Sequence, residues 1–144
     1  MTKTVTQTLS GWGGMPKQEC HVFRPEKSRA LEQLITSIDE STFLPRGLGR
    51  AYGDAALNEN GGVILNERLH RFISFDEESG VVECEGGVSL AEIIETFLPR
   101  GWFLPVSPGT KFVTIGGAVA CDIHGKNHHR DGSFSAFVDQ FNLL

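Results

Sequence analysis

The segment from Thr114 to His129 reads TIGGAVACDIHGKNHH and combines a glycine pair, a run of small residues and a histidine cluster. Packing of an ordinary core does not require that combination. Gly116, Gly117 and Gly125 have no Cβ, so the backbone there can approach a flat or phosphorylated ligand closely. This stretch therefore predicts a ligand site built largely from main chain.

Thr114 is suited to cap a short helix over residues 116–121. The first amides of a helix lack partners within it and lie at its positive dipole end, where a phosphate can bind. The sequence thus predicts unpaired amides at this helix start. Tight packing of helix on sheet is the alternative explanation for the small residues Gly116, Gly117 and Ala118.

A second glycine-rich loop, RGLGRAYGD at residues 46–54, lies about sixty residues earlier and alternates small residues with arginines. Consecutive amides in such a loop can form a concave anion site. Two loops of this kind predict one large ligand held from two sides. For this loop alone, a surface turn with solvated arginines is the alternative.

Composition narrows the class of protein. The 144 residues suit one ordinary domain, and the excess of glycine, 17 residues in all, is attributed to loops such as the two described above, which hold six of them. A formal charge of −5 without a basic stripe argues against strong nucleic-acid binding. No apolar stretch reaches the ~20 residues of a membrane span, and the first residues lack the apolar core of a secretory signal. A cytoplasmic location is expected, with peripheral membrane contact left open.

The first half of the sequence predicts a strand-helix-strand unit. After a polar leader, residues 19–24 form a short strand, and a helix begins at Pro25. Further strands are predicted at residues 42–45 and 63–66, so the arginine-containing loop follows a strand end, where sites of such layouts occur. The predicted buried face of the helix comprises Leu31, Leu34, Ile35 and Ile38.

The second half begins with a predicted hairpin at residues 71–87, turning at Gly80. Ser89 and Glu92 have the spacing of a capping box, which predicts a helix start. Residues 137–144 are still apolar where the sequence stops, and they are predicted to begin a further strand. The three cysteines are far apart and odd in number, which favours a reduced compartment without a disulfide scaffold.

Four segments in order carry a family resemblance: SGWGG, RGLGRAYGD, LPVSPGT and TIGGAVACDIHGKNHHRDGSF. They resemble the FAD-binding (PCMH-type) domain of the vanillyl-alcohol oxidase superfamily, and within it the oxidase subunits of decaprenylphosphoryl-β-D-ribose 2'-epimerases. The resemblance implies an α+β fold in which two subdomains clasp an extended FAD, followed by a separate substrate domain.

The predicted boundaries are a polar leader at residues 1–18 and the FAD-binding domain at residues 19–144. By the same resemblance, this domain has the first subdomain and only the truncated front of the second. The substrate or cap domain is then absent. FAD is expected without a covalent bond, because relatives with covalent flavin often carry a histidine where this chain has residues 50–52. The residues implied to contact FAD are Arg46, Gly47, Leu48, Gly49, Arg50, Ala51, Tyr52, Ser107, Gly109, Thr110, Gly116, Gly117, Ala118, Cys121, His124 and Gly125.

The resemblance also implies that His124 and Lys126 are catalytic and border the reactive face of the flavin. A cation or donor there stabilises charge on the reduced ring or on a substrate phosphate, and a histidine can exchange protons near neutral pH. The catalytic base is left open, because the substrate domain can supply one. Tyr52 is expected either beside the flavin or in plain packing.

The implied activity is oxidation of a sugar hydroxyl in a polyprenyl-phosphate-linked ribofuranoside, with an NADH-dependent reductase as partner. Another sugar-alcohol or aldonolactone oxidase is the alternative enzyme. From a different class, the chain is a catalytically silent fragment that binds a nucleotide or a metal. The metal-capable side chains are Cys121, Asp122, His124, His128 and His129, although their spacing matches no standard zinc pattern and the prediction is that no metal is bound.

Overall fold

A computed structural model describes residues 4–37 and 42–144. The chain divides into two compact units, residues 1–69 and residues 70–144. The fold mixes helices and strands as predicted. On the predicted buried face of the first helix, Leu34 is buried, but the prediction is wrong for Ile35, which is 41% exposed. Ile38 is outside the described residues.

The first unit is a four-stranded sheet with one helix. Its strands are β1 (Val5–Ser10), β2 (Lys17–Phe23), β3 (Phe43–Arg46) and β4 (Gly62–Leu65), in the spatial order β1-β2-β4-β3. β1 and β2 are antiparallel, whereas β2, β3 and β4 are parallel. Helix α1 (Ser28–Ser37) connects β2 to β3. The carboxyl ends of the three parallel strands therefore share one edge, where the arginine-containing loop begins.

Burial explains why these strands pair. All four residues of β4 are buried, which suits a central parallel strand that is covered on both faces. One cluster of buried side chains joins β1, β2 and β4, and a second packs Leu34 of α1 against Phe23 and Ile64. The predicted strands at 42–45 and 63–66 are confirmed with ends shifted by one residue.

The residues predicted to be a polar leader contain a strand. β1 pairs with β2 from Val5↔Val22 to Ser10↔Lys17. β1 is an edge strand that is exposed at four of its six positions, so its sequence shows no apolar alternation from which a strand could be predicted. These residues belong to the sheet of the first unit.

The second unit has a hairpin and three helices. Its elements are β5 (Phe72–Phe75), β6 (Val82–Cys84), α2 (Leu90–Phe97), α3 (Ile115–Ala120) and α4 (His128–Asp131). Short 3-10 turns also occur in the chain, at Asn66–Arg68, Leu98–Arg100 and Phe134–Phe137. Among the helices of the described residues, none is long and apolar enough to cross a membrane.

The predicted capping box at the start of α2 is confirmed. The Glu92 amide donates to Ser89 Oγ at 3.2 Å, and the Ser89 amide donates to the Glu92 carboxylate at 2.8 Å. Ser89 also forms an isolated bridge with Thr114, which caps α3, so the starts of the two helices lie side by side. The core beneath them consists of Val88, Leu90, Ile93, Phe97, Val106, Ala118 and Phe134.

The predicted strand over residues 137–144 is wrong. Residues 134–137 form a 3-10 turn, and the stretch from 138 to 144 pairs with no strand. The Val138 amide donates back to Ser135 O at 3.3 Å, so the turn satisfies it locally. Apolar composition alone does not make a strand, because a strand also needs hydrogen bonds to a neighbouring strand.

The three cysteines are expected to differ in reactivity. Cys121 is exposed and Cys20 is fully buried, while burial raises the pKa of Cys84 to about 11. Because the thiolate is the reactive form, Cys121 should be alkylated by iodoacetamide at pH 8 at least about tenfold faster than the other two. Peptide mass spectrometry of timed samples measures the rates. Equal rates in the native chain would contradict the described burial, and a sample unfolded in urea provides the control.

Candidate functional site

Arg46 ends β3 and holds the loop that follows it. Its guanidinium donates to the carbonyl oxygens of Ser10 at 2.7 Å and Ala56 at 3.0 Å. Burial lowers its pKa from the ordinary arginine value. A Cβ on Gly49 would lie 2.5 Å from the same guanidinium, so the loop folds directly over this side chain. Arg46 therefore acts first as an internal brace for the loop.

The Ser10–Gly14 segment packs against this loop. The Trp12 amide donates to Ala51 O at 2.8 Å, and the Arg50 guanidinium lies 4.7 Å from the centroid of the Trp12 ring. A Cβ on Gly11 would approach Gly53 O to 2.3 Å. The segment carried part of the family resemblance, but sequence analysis assigned no site residue to it. The signal that could have found these residues was the pairing of two glycine-rich motifs.

Main-chain amides of the loop are available to a ligand. Within the described part of the chain, the amides of Leu48, Gly49 and Ala51 donate to no protein acceptor. Gly49 has a φ of +68°, which glycine adopts without strain. Such amides next to a left-handed residue are the usual components of an anion-binding concavity. Tyr52, beside them, is 75% exposed, which argues against a plain packing role.

Gly11→Ala should destabilise the first unit. Its new methyl group would overlap the Gly53 carbonyl, a backbone atom that cannot move alone, so we expect a loss of about 1–3 kcal/mol in the free energy of unfolding. Urea denaturation followed by tryptophan fluorescence measures it. Gly13→Ala is the matched control, because no atom lies within 4 Å of its added Cβ. Equal stability of the two variants would show that the two segments are not in this contact.

A cleft of about 800 Å³ lies within the second unit. Two segments line it, the extended chain at residues 103–109 and the histidine-containing loop at residues 124–128; we call them the first wall and the second wall. The cleft brings together five of the predicted site residues. They are Ser107 and Gly109 on the first wall, and His124, Gly125 and Lys126 on the second.

The two walls approach each other at Gly125. A Cβ there would lie 2.6 Å from Ser107 O and 2.8 Å from Asn127 Oδ1, so only glycine fits. Behind the second wall, the Asp122 carboxylate accepts from Ser133 Oγ at 2.7 Å and from the Ser135 amide at 2.8 Å. Those hydrogen bonds, led by that of Ser133, lower the Asp122 pKa. The loop that carries the histidines is therefore closed at its base.

His128 supports the ring of His124. The two ring centroids are 5.0 Å apart and nearly perpendicular. His128 Nδ1 lies 3.0 Å from Gly125 O, and a carbonyl only accepts, so Nδ1 carries a proton. His124 and Lys126 are exposed in the cleft, whose lining includes no carboxylate. From the sequence, His128 was predicted only to be a metal-capable residue.

The remaining predicted residues of this unit do not line the cleft. The Thr110 hydroxyl accepts from the Phe112 amide at 3.1 Å. Ala118 is fully buried in the core, and Cys121 is exposed. Gly116 packs on Gly86, whose carbonyl would lie 3.0 Å from an added Cβ. For Gly116 and Ala118, the packing alternative is therefore the one that the geometry supports.

The predicted unpaired amides at the start of α3 are wrong. Although Thr114 caps the helix as expected, the Ile115 amide donates to Val88 O at 2.7 Å and the Gly116 amide to Gly86 O at 2.7 Å. The Gly117 amide donates to Thr114 Oγ1 at 3.2 Å. The connection between β6 and α2 thus supplies carbonyl acceptors for two amides that were predicted to be unpaired.

The metal alternative gains no geometric support. In the described ranges, no group of three or more histidine, cysteine, aspartate or glutamate side chains is placed to hold a metal ion. Asp122 is engaged by Ser133 and Ser135, and His128 by Gly125 O.

Comparisons with known proteins identify the family of the chain. Residues 20–144 match the family described as FAD binding domain. Decaprenylphosphoryl-beta-D-ribose oxidase of Mycolicibacterium smegmatis is 41% identical over 144 residues, which cover 98% of this chain and 31% of that protein. D-lactate dehydrogenase of Anaerostipes hadrus is 30% identical over 95 residues, covering 65% and 20% respectively. The chain thus spans less than a third of either relative.

Solved structures show the same fold. A cholesterol oxidase variant from Brevibacterium sterolicum superposes with a TM-score of 0.73 at 17% identity, over 86% of this chain and 25% of that one. An alkyldihydroxyacetonephosphate synthase gives 0.68 at 19% identity, over 85% and 25%. The predicted α+β fold and the expected cofactor FAD are confirmed. Because the family match covers most of this chain, the chain belongs to the FAD-binding domain family.

Proposed function

We propose that this chain is the FAD-binding part of a flavin-dependent oxidoreductase that oxidises a sugar hydroxyl, with a polyprenyl-phosphate-linked ribose as substrate. The cleft carries the proposal, because it joins two motif segments and offers three cationic or proton-exchanging side chains, with no carboxylate among its lining residues. The 41% identity with the mycobacterial oxidase supports the substrate class.

The residues present fit FAD. The open amides of Leu48, Gly49 and Ala51 suit a pyrophosphate. Bound FAD supplies an acceptor for hydride. Residues 50–52 contain no histidine, which favours non-covalent binding.

His124 and Lys126 would act on charge and protons at the cleft. The Lys126 ammonium is positioned to stabilise negative charge on the reduced cofactor or on a phosphate. The His124 ring, packed against His128, can donate or accept the proton of a hydroxyl. The hydrogen bond from His128 Nδ1 to Gly125 O orients the His128 ring, and it thereby sets which face of that ring contacts His124.

Further roles follow from the same proposal. An NADH-dependent reductase would act on the keto sugar, so the pair would epimerise the ribose unit for cell-wall biosynthesis in the cytoplasm. The match to D-lactate dehydrogenase favours a second candidate, oxidation of another CH–OH substrate by the same FAD domain.

Lys126→Ala should weaken FAD binding about tenfold, since a hydrogen bond to a charged group is worth about 1.5–3 kcal/mol. The experiment titrates the desalted chain with FAD and follows flavin fluorescence. Lys111→Ala is the matched control, because Lys111 pairs with Glu95 in the same unit and does not line the cleft. A chain that never takes up FAD, or equal affinities for both variants, would contradict the proposal.

A further inference from the structure

Asn127 makes a side-chain hydrogen bond that joins the two walls of the cleft. Its Nδ2 donates to Pro105 O of the first wall at 3.0 Å and to Asp131 Oδ2 of α4 at 2.9 Å. Among the described residues, no backbone hydrogen bond joins the first wall to the second. Apart from the close approach at Gly125, the connection that the described residues show between the walls is the hydrogen bond of this carboxamide.

The chemistry of its partners fixes the orientation of the carboxamide. A carbonyl and a carboxylate both accept hydrogen bonds, so the NH2 group must face them. Asn127 Oδ1 then faces Gly125, 2.8 Å from the place that a Cβ would occupy. The Asn127 side chain thus contacts three parts of the site: the first wall, Gly125 at the point where the walls approach each other, and helix α4 behind the second wall.

We propose that Asn127 is a positioning residue that sets the separation of the two walls and thereby the affinity of the cleft for FAD. The proposal rests on the proposed function for its ligand. Its physical basis is pre-organisation: a wall held at the right distance before binding does not have to be ordered by the ligand. Asn127 supplies the brace, and His124 and Lys126 supply the chemistry on the wall it holds.

Asn127 could instead stabilise only α4, through its hydrogen bond to Asp131. Variants of the Asn127–Asp131 pair separate this role from the role between the walls. Asn127→Asp removes both hydrogen bonds and places two carboxylates together. The swap N127D/D131N lets the new amide at 131 donate to the new carboxylate at 127, which restores the bond within α4. Because an aspartate cannot donate to Pro105 O, the bond between the walls remains lost.

The experiment compares the unmodified chain, N127D, the swap and D131N alone. FAD affinity is measured by flavin fluorescence, and amide NMR resonances of Gly109 and Gly125 are recorded without ligand. We expect D131N to resemble the unmodified chain, and the swap to recover the melting temperature with the resonances of both walls displaced. The swap should also bind FAD about five- to tenfold more weakly. Because its carboxylate at 127 lines the cleft and repels phosphate as well, the ligand-free resonances decide the positioning role.

Two outcomes would overturn the positioning role. One is a swap that recovers FAD affinity together with the wall resonances, which would confine Asn127 to α4. The other is N127D with unchanged wall resonances. If the unmodified chain fails to bind FAD, the proposed function fails, while the ligand-free resonances still decide whether Asn127 joins the walls.

Discussion

Gly125→Ala is expected to lower the free energy of unfolding by about 1–3 kcal/mol and to weaken FAD binding at least about tenfold. The added methyl carbon would lie 2.6 Å from Ser107 O and 2.8 Å from Asn127 Oδ1, so both walls of the cleft must move apart. Thermal unfolding followed by circular dichroism measures the first effect, and flavin fluorescence titration measures the second.

Gly86→Ala is the matched control for this prediction. It adds the same methyl group to the same unit, where the nearest atom is 3.7 Å away in ordinary van der Waals contact. A change within about 0.5 kcal/mol is expected, as for most surface substitutions. If Gly125→Ala were as stable as this control and bound FAD equally well, the two walls would not approach each other as described.

Local sequence signals predicted local structure well. The Ser89 and Glu92 capping box and the Thr114 cap depend on side chains three residues from the amides or carboxylates they bind, and both are present. The loop after β3 was also predicted from local sequence, because its glycines favour a turn at the end of a strand. Signals of this range do not require knowledge of the tertiary fold.

Hydrogen-bond partners that are distant in the sequence explain the wrong prediction at the start of α3. The amides at the start of α3 were predicted to be open, but Gly86 and Val88, some thirty residues earlier, accept from two of them. Nothing in the spacing of residues 114–121 shows that a carbonyl of a preceding connection will arrive there. In the same way, Asn127 donates to Pro105 O, 22 residues away, and Arg46 donates to Ser10 O, 36 residues away.

Weak patterns account for the misassigned strands. β1 is exposed at most positions, so its pairing depends on backbone hydrogen bonds to β2, which leave no trace in apolar periodicity. Residues 137–144 show the reverse case, because they are largely apolar but pair with no strand. Whether a segment forms a strand depends on the strand it pairs with, and the residues of the segment do not identify that partner.

Arg46→Lys is expected to cost nearly as much stability as Arg46→Ala, about 2 kcal/mol, although lysine keeps the positive charge. The reason is geometric: two guanidinium nitrogens reach Ser10 O and Ala56 O at once, whereas a single ammonium is a point donor. A loss of this size lowers the melting temperature by about 5 °C in a chain of this length.

This experiment separates two roles for Arg46, since the family resemblance implies a charge near the FAD pyrophosphate whereas the structure shows a brace. If the charge were what matters, Arg46→Lys would keep FAD affinity and stability, and Arg46→Ala would lose affinity alone. If the brace matters, both variants lose stability and FAD together, because the open amides of Leu48 and Gly49 no longer share one orientation. Arg68→Lys is the matched control, since Arg68 pairs with Glu26 at the surface of the same unit, where side chains 54% and 66% exposed gain little from pairing.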